Sequence, residues 1–187
     1  MKELIMSAAI SMFAKYGYKK TTIDDIANEL KMSKGNMYRY FINKEDLYHQ
    51  AVTSVLDGWR NHVQQKVGLV EDPLEKFRVM AEVAIHYPEK NKDFCNIVLQ
   101  DPEIFSISPK QDNYRPSNEP AEQMLKSILK QAVDRGVFRE LNIDYTAELL
   151  FSVYMMYLIR IYGSGEGERG IELYMYSADL ILNGLKK

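Results

Sequence analysis

The chain has 187 residues, 46% of them hydrophobic and 27% charged, with ten glycines and six prolines, the composition of an ordinary soluble globular protein. A single cysteine, Cys95, excludes an internal disulfide and fits a reducing compartment. The formal net charge of −2 argues, taken alone, against a nucleic-acid binder.

From the start of the chain, Leu4, Ile5, Ala8, Ala9, Met12, Phe13 and Tyr16 recur at helical spacing, which predicts an amphipathic helix over residues 2–16 stopped by Gly17. The stretch is amphipathic rather than continuously apolar, so it reads as a packing helix and not as a signal peptide. Lys19 and Lys20 follow, placed to meet either phosphate or water. Thr22-Ile23-Asp24-Asp25 has the form of a capping box, and Ile23, Ile26, Ala27 and Leu30 make the apolar face of a second helix. Ser33 is the expected cap of a short third helix that runs to Phe41, with Met37 and Phe41 facing inward. Asn43 is the expected cap of a long fourth helix, with Glu45 and Asp46 in its first turn.

The third helix carries the most informative chemistry. Its remaining surface, formed by Ser33, Lys34, Gly35, Asn36, Tyr38, Arg39 and Tyr40, offers cations, hydroxyls, an amide and a glycine, and no carboxylate. Such groups suit phosphate oxygens and base edges. A helix-turn-helix presents its second helix to the DNA major groove in this way. The charge distribution agrees. Residues 1–66 hold ten Lys/Arg against seven Asp/Glu, a net of +3, whereas residues 67–187 hold 14 against 19, a net of −5. The alternative is a solvated amphipathic helix pair with no nucleic-acid role.

This stretch resembles the N-terminal DNA-binding domain of the tetracycline-repressor (TetR/AcrR) family of transcription regulators. The resemblance is carried by Phe13, Gly17, Thr22, Ile26, Ala27, Ser33, Gly35, Tyr38, Tyr40, Phe41, Lys44, Glu45 and Leu47, in order and without gaps. Two positions depart from the usual pattern. Lys31 stands in the turn where glycine is common, which would force a non-glycine residue into an awkward backbone conformation. Asn36 replaces a residue that is more often small, so the DNA sequence read by relatives does not transfer.

After Asn43, apolar positions Leu47, Ala51, Val52, Val55, Leu56, Trp59 and Val63 carry the fourth helix to about residue 66. It is the natural mechanical link between an N-terminal head and the rest of the chain. Asp72-Pro73 reads as cap and first residue of the next helix, which holds Leu74, Phe77, Met80, Ala81, Ala84 and Ile85 and ends near Pro88. Residues 91–100 form a short helix carrying Phe94, Ile97 and Val98. Residues 101–120 contain four of the six prolines and read as a loop or crossover. Helix resumes around Glu119 and runs to Gly136, Val137-Phe138-Arg139 is a short link, Asp144 caps a helix over 145–162, and a last helix covers 168–185. The most apolar run, Leu149 to Ile159, is 11 residues long and too short to span a bilayer.

The expected fold is therefore all-α: a three-helix helix-turn-helix domain over residues 1–48, then a helical bundle over 49–187. The last two helices are apolar over more than one stripe, so they would face both an internal core and a second copy of the chain. The resemblance implies a cytoplasmic, homodimeric regulator, a repressor more than an activator, that binds a palindromic double-stranded DNA operator and releases it when a small hydrophobic effector binds the bundle. Thr22, Ser33, Tyr38, Tyr40 and Lys44 are the candidates for phosphate, with Lys34, Gly35, Asn36 and Arg39 near bases or nearby phosphates. Tyr87, Phe94, Tyr154 and Tyr157 are the candidate effector contacts, against the plainer reading of a helical core stripe. No cofactor or metal is implied. Cys95 with His49, His62 or His86 would have to serve a hydrolase, but no recognisable motif places them. A competing reading is a protein-interaction module with a vestigial helix-turn-helix.

Overall fold

A computed structural model describes residues 1–101, 104 and 114–187. These form helices α1 (Lys2–Lys20), α2 (Ile23–Glu29), α3 (Lys34–Met37), α4 (Lys44–Val67), α5 (Pro73–Lys90), α6 (Lys92–Gln100), α7 (Arg115–Asp134), α8 (Ile143–Leu158) and α9 (Gly167–Leu185). One π-helical turn, Ile159–Gly163, continues α8. Among the described residues there is no β-strand, so the fold is all-α.

The cap residues explain where several helices begin. The Thr22 hydroxyl accepts the Asp25 N–H at 3.1 Å while the Asp25 carboxylate accepts the Thr22 N–H at 2.9 Å, a complete capping box. The Thr22 hydroxyl and then its N–H hold the Asp25 carboxyl below the usual carboxylate range. Asn43 Oδ1 accepts the Asp46 N–H at 2.8 Å to start α4, and Asp72 Oδ1 accepts the Glu75 N–H at 3.0 Å to start α5, with Pro73 at its first turn.

Several expectations are corrected. α1 does not end at Gly17: the chain leaves helical geometry there (φ 78°, ψ 163°) and takes one more turn to Lys20. Leu4 and Tyr16 stay exposed, because the buried line of α1 is Ile5, Ala9, Phe13 and Ala14. α3 is helical only to Met37, and Tyr38 to Tyr40 form a turn; Ser33 precedes it without a side-chain capping bond. α5 continues past Pro88 to Lys90, with the Pro88 ring buried. The loop expected over 101–120 is shorter than that. Residues 102, 103 and 105–113 lie outside the described residues, and α7 already starts at Arg115 with Pro116 in its first turn and Pro120 inside. Asn118 anchors that start by donating its side-chain amide to Ile104 O at 2.9 Å. Asn142, not Asp144, caps α8: its Oδ1 accepts the Tyr145 N–H at 3.0 Å, whereas Asp144 pairs with Lys126 of α7 at 2.8 Å.

Packing follows from the apolar faces. α4 is the shared element. It buries Leu47, Ala51, Val52, Leu56, Trp59 and Val63 and packs against α1, α5, α6 and α7. α8 and α9 turn Ala147, Leu150, Tyr154 and Leu158, and Tyr174, Ala178 and Leu182, inward. A second apolar stripe on the same two helices is exposed, at Tyr145, Leu149 and Met156 on α8 and Tyr176 and Leu180 on α9.

Candidate nucleic-acid interface and body cavity

α3 is pinned from beneath. Met37 and Phe41 are both buried, at 1% and 2% exposure, and they seat the helix against α2 and the rest of the head. Ser33, Lys34, Gly35, Asn36, Tyr38, Arg39 and Tyr40 are left on the outside, all exposed, as is Thr22 at the start of α2. The structure therefore brings eight of the nine sequence-predicted DNA residues to the solvent side of one head. Their environments differ in ways that the sequence does not reveal. Lys34 Nζ pairs with Asp24 of α2 at 2.7 Å, and that hydrogen bond raises the lysine's affinity for its proton. Both partners are exposed, and a pair of this kind is weak enough for a phosphate to displace it. Arg39 makes no ion pair or side-chain hydrogen bond among the described residues, so its guanidinium is uncommitted. Lys44 is the exception. It is half-buried, donates to Tyr18 O at 2.9 Å and sits 4.1 Å from the centre of the Tyr18 ring, tying the first turn of α4 to the end of α1.

The turn before α3 has the strain that its sequence implies. Lys31 has φ 53°, the left-handed region, and among the described residues it is the non-glycine residue with positive φ. Its N–H bonds Asn28 O at 3.0 Å and the following Met32 N–H bonds Ala27 O at 2.9 Å, which closes the turn. Lys31→Gly is expected to relieve this strain and stabilise the protein by about 0.5–1 kcal/mol, an increase in Tm of roughly 1–4 °C by thermal unfolding. An unchanged or lower Tm would mean that the lysine is comfortable in that turn.

In the body, a cavity of about 50 Å³ lies between α4, α5, α7, α8 and α9, lined by Trp59, Phe77, Met80, Leu150, Tyr154 and Tyr174 among others. Of the four effector candidates named from sequence, only Tyr154 lines it, with its hydroxyl donating to Ala84 O at 3.2 Å. Phe94 is stacked against Trp59 instead, at 6.3 Å between centroids, and Tyr87 meets Phe94 edge-on at 5.2 Å. Both line an open groove beside Ser54 and Gly58. Tyr157 packs edge-on against Tyr174 at 5.5 Å, and its hydroxyl is hydrogen-bonded to Ser177 Oγ at 2.8 Å. Trp59 was missed by the sequence reading because its spacing on α4 marks it only as core. Cys95 is half-buried, and burial pushes its thiol up, away from the thiolate that a nucleophile needs.

Comparison with known proteins agrees with this geometry. Residues 5–51 match the bacterial regulatory proteins of the tetR family. The HTH-type transcriptional repressor KstR2 of Mycolicibacterium smegmatis is 27% identical over 144 residues, covering 76% of this chain and 70% of that protein. The HTH-type transcriptional regulator YuxN of Bacillus subtilis is 28% identical over 158 residues, covering 81% of this chain, which spans about half the length of that relative (50%). In three dimensions, the TetR family regulator PfmR of Thermus thermophilus superposes with a TM-score of 0.73 at 29% identity, covering 98% of this chain and 99% of that one. The head, with its capped helices and carboxylate-free outer face, thus matches the tetR family of bacterial regulatory proteins over residues 5–51, and the chain as a whole shares the all-helical fold of a TetR family regulator.

Proposed function

We propose that the protein is a repressor that binds a palindromic operator as a homodimer and leaves it when a small apolar effector enters the body. The observation that carries the DNA half of this reading is the outer face of residues 33–40, exposed to solvent and free of carboxylates while Met37 and Phe41 fix it from beneath. Thr22, Ser33, Tyr38 and Tyr40 are assigned to phosphate, and Lys34, Gly35, Asn36 and Arg39 to bases or adjacent phosphates. Lys44 would reach a phosphate only with the N–H groups left after Tyr18. Two heads would sit about 34–36 Å apart, one turn of duplex. The exposed stripe on α8 and α9 supports pairing of two copies through those helices, since an apolar patch rimmed by polar residues marks an interface. We divide the chain into a DNA-binding unit over 1–48 and an effector and dimerisation unit over 49–187, joined by α4. Effector binding would favour a head separation that no longer fits DNA, through unequal affinity for the two states. Among the described residues no helix is long and apolar enough to cross a membrane, and we assign the protein to the cytoplasm.

The test is selection of bound fragments from a genomic library, repeated at several salt concentrations. A palindromic consensus bound with a steep salt dependence is the expected result, because phosphate contacts release counterions. In the same assay Asn36→Ala should broaden the preference at one base position of each half-site, since an asparagine paired to adenine discriminates by about 1–3 kcal/mol. An unchanged consensus would remove Asn36 from base readout, and no bound fragment at low salt from a folded protein would overturn the DNA reading.

A further inference from the structure

A second open groove, of about 420 Å³, runs along the outside of the body where α4, α5 and α7 meet. That volume is in the range of small-molecule sites. Although residues 67–187 carry a net charge of −5, the groove is lined by two cations, Arg60 and Lys76, and among the described residues by no carboxylate. Both cations are held without being fully neutralised. Lys76 is half-buried, and its ammonium donates to an amide oxygen, Gln131 Oε1, at 3.1 Å, with no ion pair among the described residues. The Gln131 amide is itself fixed, since its Nε2 donates to Ser127 Oγ at 3.1 Å. That amide satisfies one of three ammonium N–H groups and none of the charge. Arg60 Nη1 stands 2.8 Å from Asp57 Oδ1 one turn back on α4, while its Nη2 and Nε have no partner among the described residues.

The helix registers place the two cations along the groove. His49 of α4 stacks on Tyr114 just before α7, at 5.2 Å, and Lys76 in the first turns of α5 bonds Gln131 near the end of α7. α7 therefore runs alongside α4 in the same direction. On that register Arg60 is level with the middle of α7, and Lys76 lies about six residues of helical rise further on, roughly 9 Å. The floor is apolar, from Val67, Met124 and Ile128, and the Gln64 and Gln123 amides on its walls make no hydrogen bond among the described residues.

We propose that this groove binds a short organic dicarboxylate, with one acid group on Arg60, the other on Lys76, and the methylenes between them over Val67, Met124 and Ile128. An arginine fork meets a carboxylate with two parallel hydrogen bonds, and a lysine takes one as a point charge. A monoanion leaves one cation unanswered, and a dication is repelled at both ends. The site is separate from the cavity that Tyr154 lines and stands whether or not that cavity takes an effector.

Isothermal titration calorimetry at constant ionic strength tests the site with four probes: adipate, hexanoate, 1,6-diaminohexane and inorganic phosphate. Adipate is expected to bind saturably, one molecule per chain. Hexanoate, of the same chain length with a single acid group, should bind about 10-fold more weakly, the worth of one charge-assisted contact on a partly exposed surface. Phosphate, too compact to reach both cations, should do no better than hexanoate, and 1,6-diaminohexane should give no saturable heat. Lys76→Met and Arg60→Met should each bring adipate down to the level of hexanoate. Lys76→Arg, which keeps the charge, should retain the advantage of adipate. The probe series on the unmodified protein decides the matter even where a variant loses stability. No saturable binding of adipate, hexanoate or phosphate as tight as adipate, or an adipate affinity unchanged in both Met variants overturns the proposed site.

Discussion

Arg39→Ala is expected to weaken binding to the selected operator by about 10- to 100-fold and to leave the fold intact. The reason lies in how the three cations of the proposed face are held. Lys44 is committed to Tyr18 O and to the Tyr18 ring, and Lys34 is paired with Asp24 at 2.7 Å. Bringing Lys34 to DNA means breaking that pair and leaving Asp24 facing a polyanion, which offsets part of the gain. Arg39 has no such competing partner among the described residues, and it lies in the exposed turn just beyond α3. Its guanidinium can take a phosphate or the O6/N7 edge of guanine with two parallel hydrogen bonds, each outcome worth about 1–3 kcal/mol. The two outcomes separate in fluorescence anisotropy titrations against cognate and scrambled duplexes at several salt concentrations. A phosphate contact predicts equal loss on both duplexes and a salt slope smaller by roughly one ion. A base contact predicts loss confined to the cognate duplex. No loss on either duplex would take Arg39 out of the interface and leave Lys34 as its main cation. Thermal stability should be unchanged in all cases, because an exposed side chain away from caps and core contributes little.

The head was legible in the sequence because its signals are local. Thr22 and Asn43 each bond an N–H three residues on, so residue identity and spacing are sufficient to place them, as they are for Asp72 at the start of α5 in the body. Met37 and Phe41 share one face by helical geometry even though the helix itself stops at Met37, since the following turn keeps Phe41 close to the same direction. Signals that depend on distant partners were not legible. Asn142 and Asp144 are both acceptable caps, and Asp144 is drawn away by Lys126, a residue on another helix. Prolines at 116 and 120 suggest a loop, but Pro116 is tolerated where α7 begins and the Asn118 amide ties that start to Ile104. The cavity failed for a related reason. Tyr87, Phe94, Tyr154 and Tyr157 are equally plausible aromatic positions on their own helices, and only the packing of the helices against one another decides that Tyr154 borders the space while Tyr87 and Phe94 line the separate groove.

Gly17→Ala is expected to lower stability by about 1–3 kcal/mol, a fall in Tm of roughly 2–12 °C, and to do so through two separable causes. The first is conformational. At φ 78° and ψ 163°, Gly17 occupies a region that is essentially glycine-only, and the chain needs it there to turn out of α1 and return Thr21 to the interior. Thr21 depends on that turn, since its N–H and hydroxyl both bond Gly17 O, at 3.2 and 2.9 Å. The second is a collision: a methyl group on Gly17 would stand 2.7 Å from Gln100 Oε1. Gln100 is the last residue of α6 and donates to Ala14 O at 2.6 Å, so moving it loosens the seam between α1 and α6 that joins head to body. Gly184→Ala is the matched control, because a methyl group there meets nothing within 4 Å inside α9 and should be neutral or stabilising. Urea unfolding of Gly17→Ala, Gln100→Ala and the double variant resolves the causes. If the backbone dominates, the double variant is no more stable than Gly17→Ala. If the collision dominates, Gln100→Ala removes most of the penalty of the added methyl and the two substitutions couple by well over 0.5 kcal/mol. Stability of Gly17→Ala equal to that of the unmodified protein would show that the turn accepts an L side chain, and the glycine would then have no structural role at the seam.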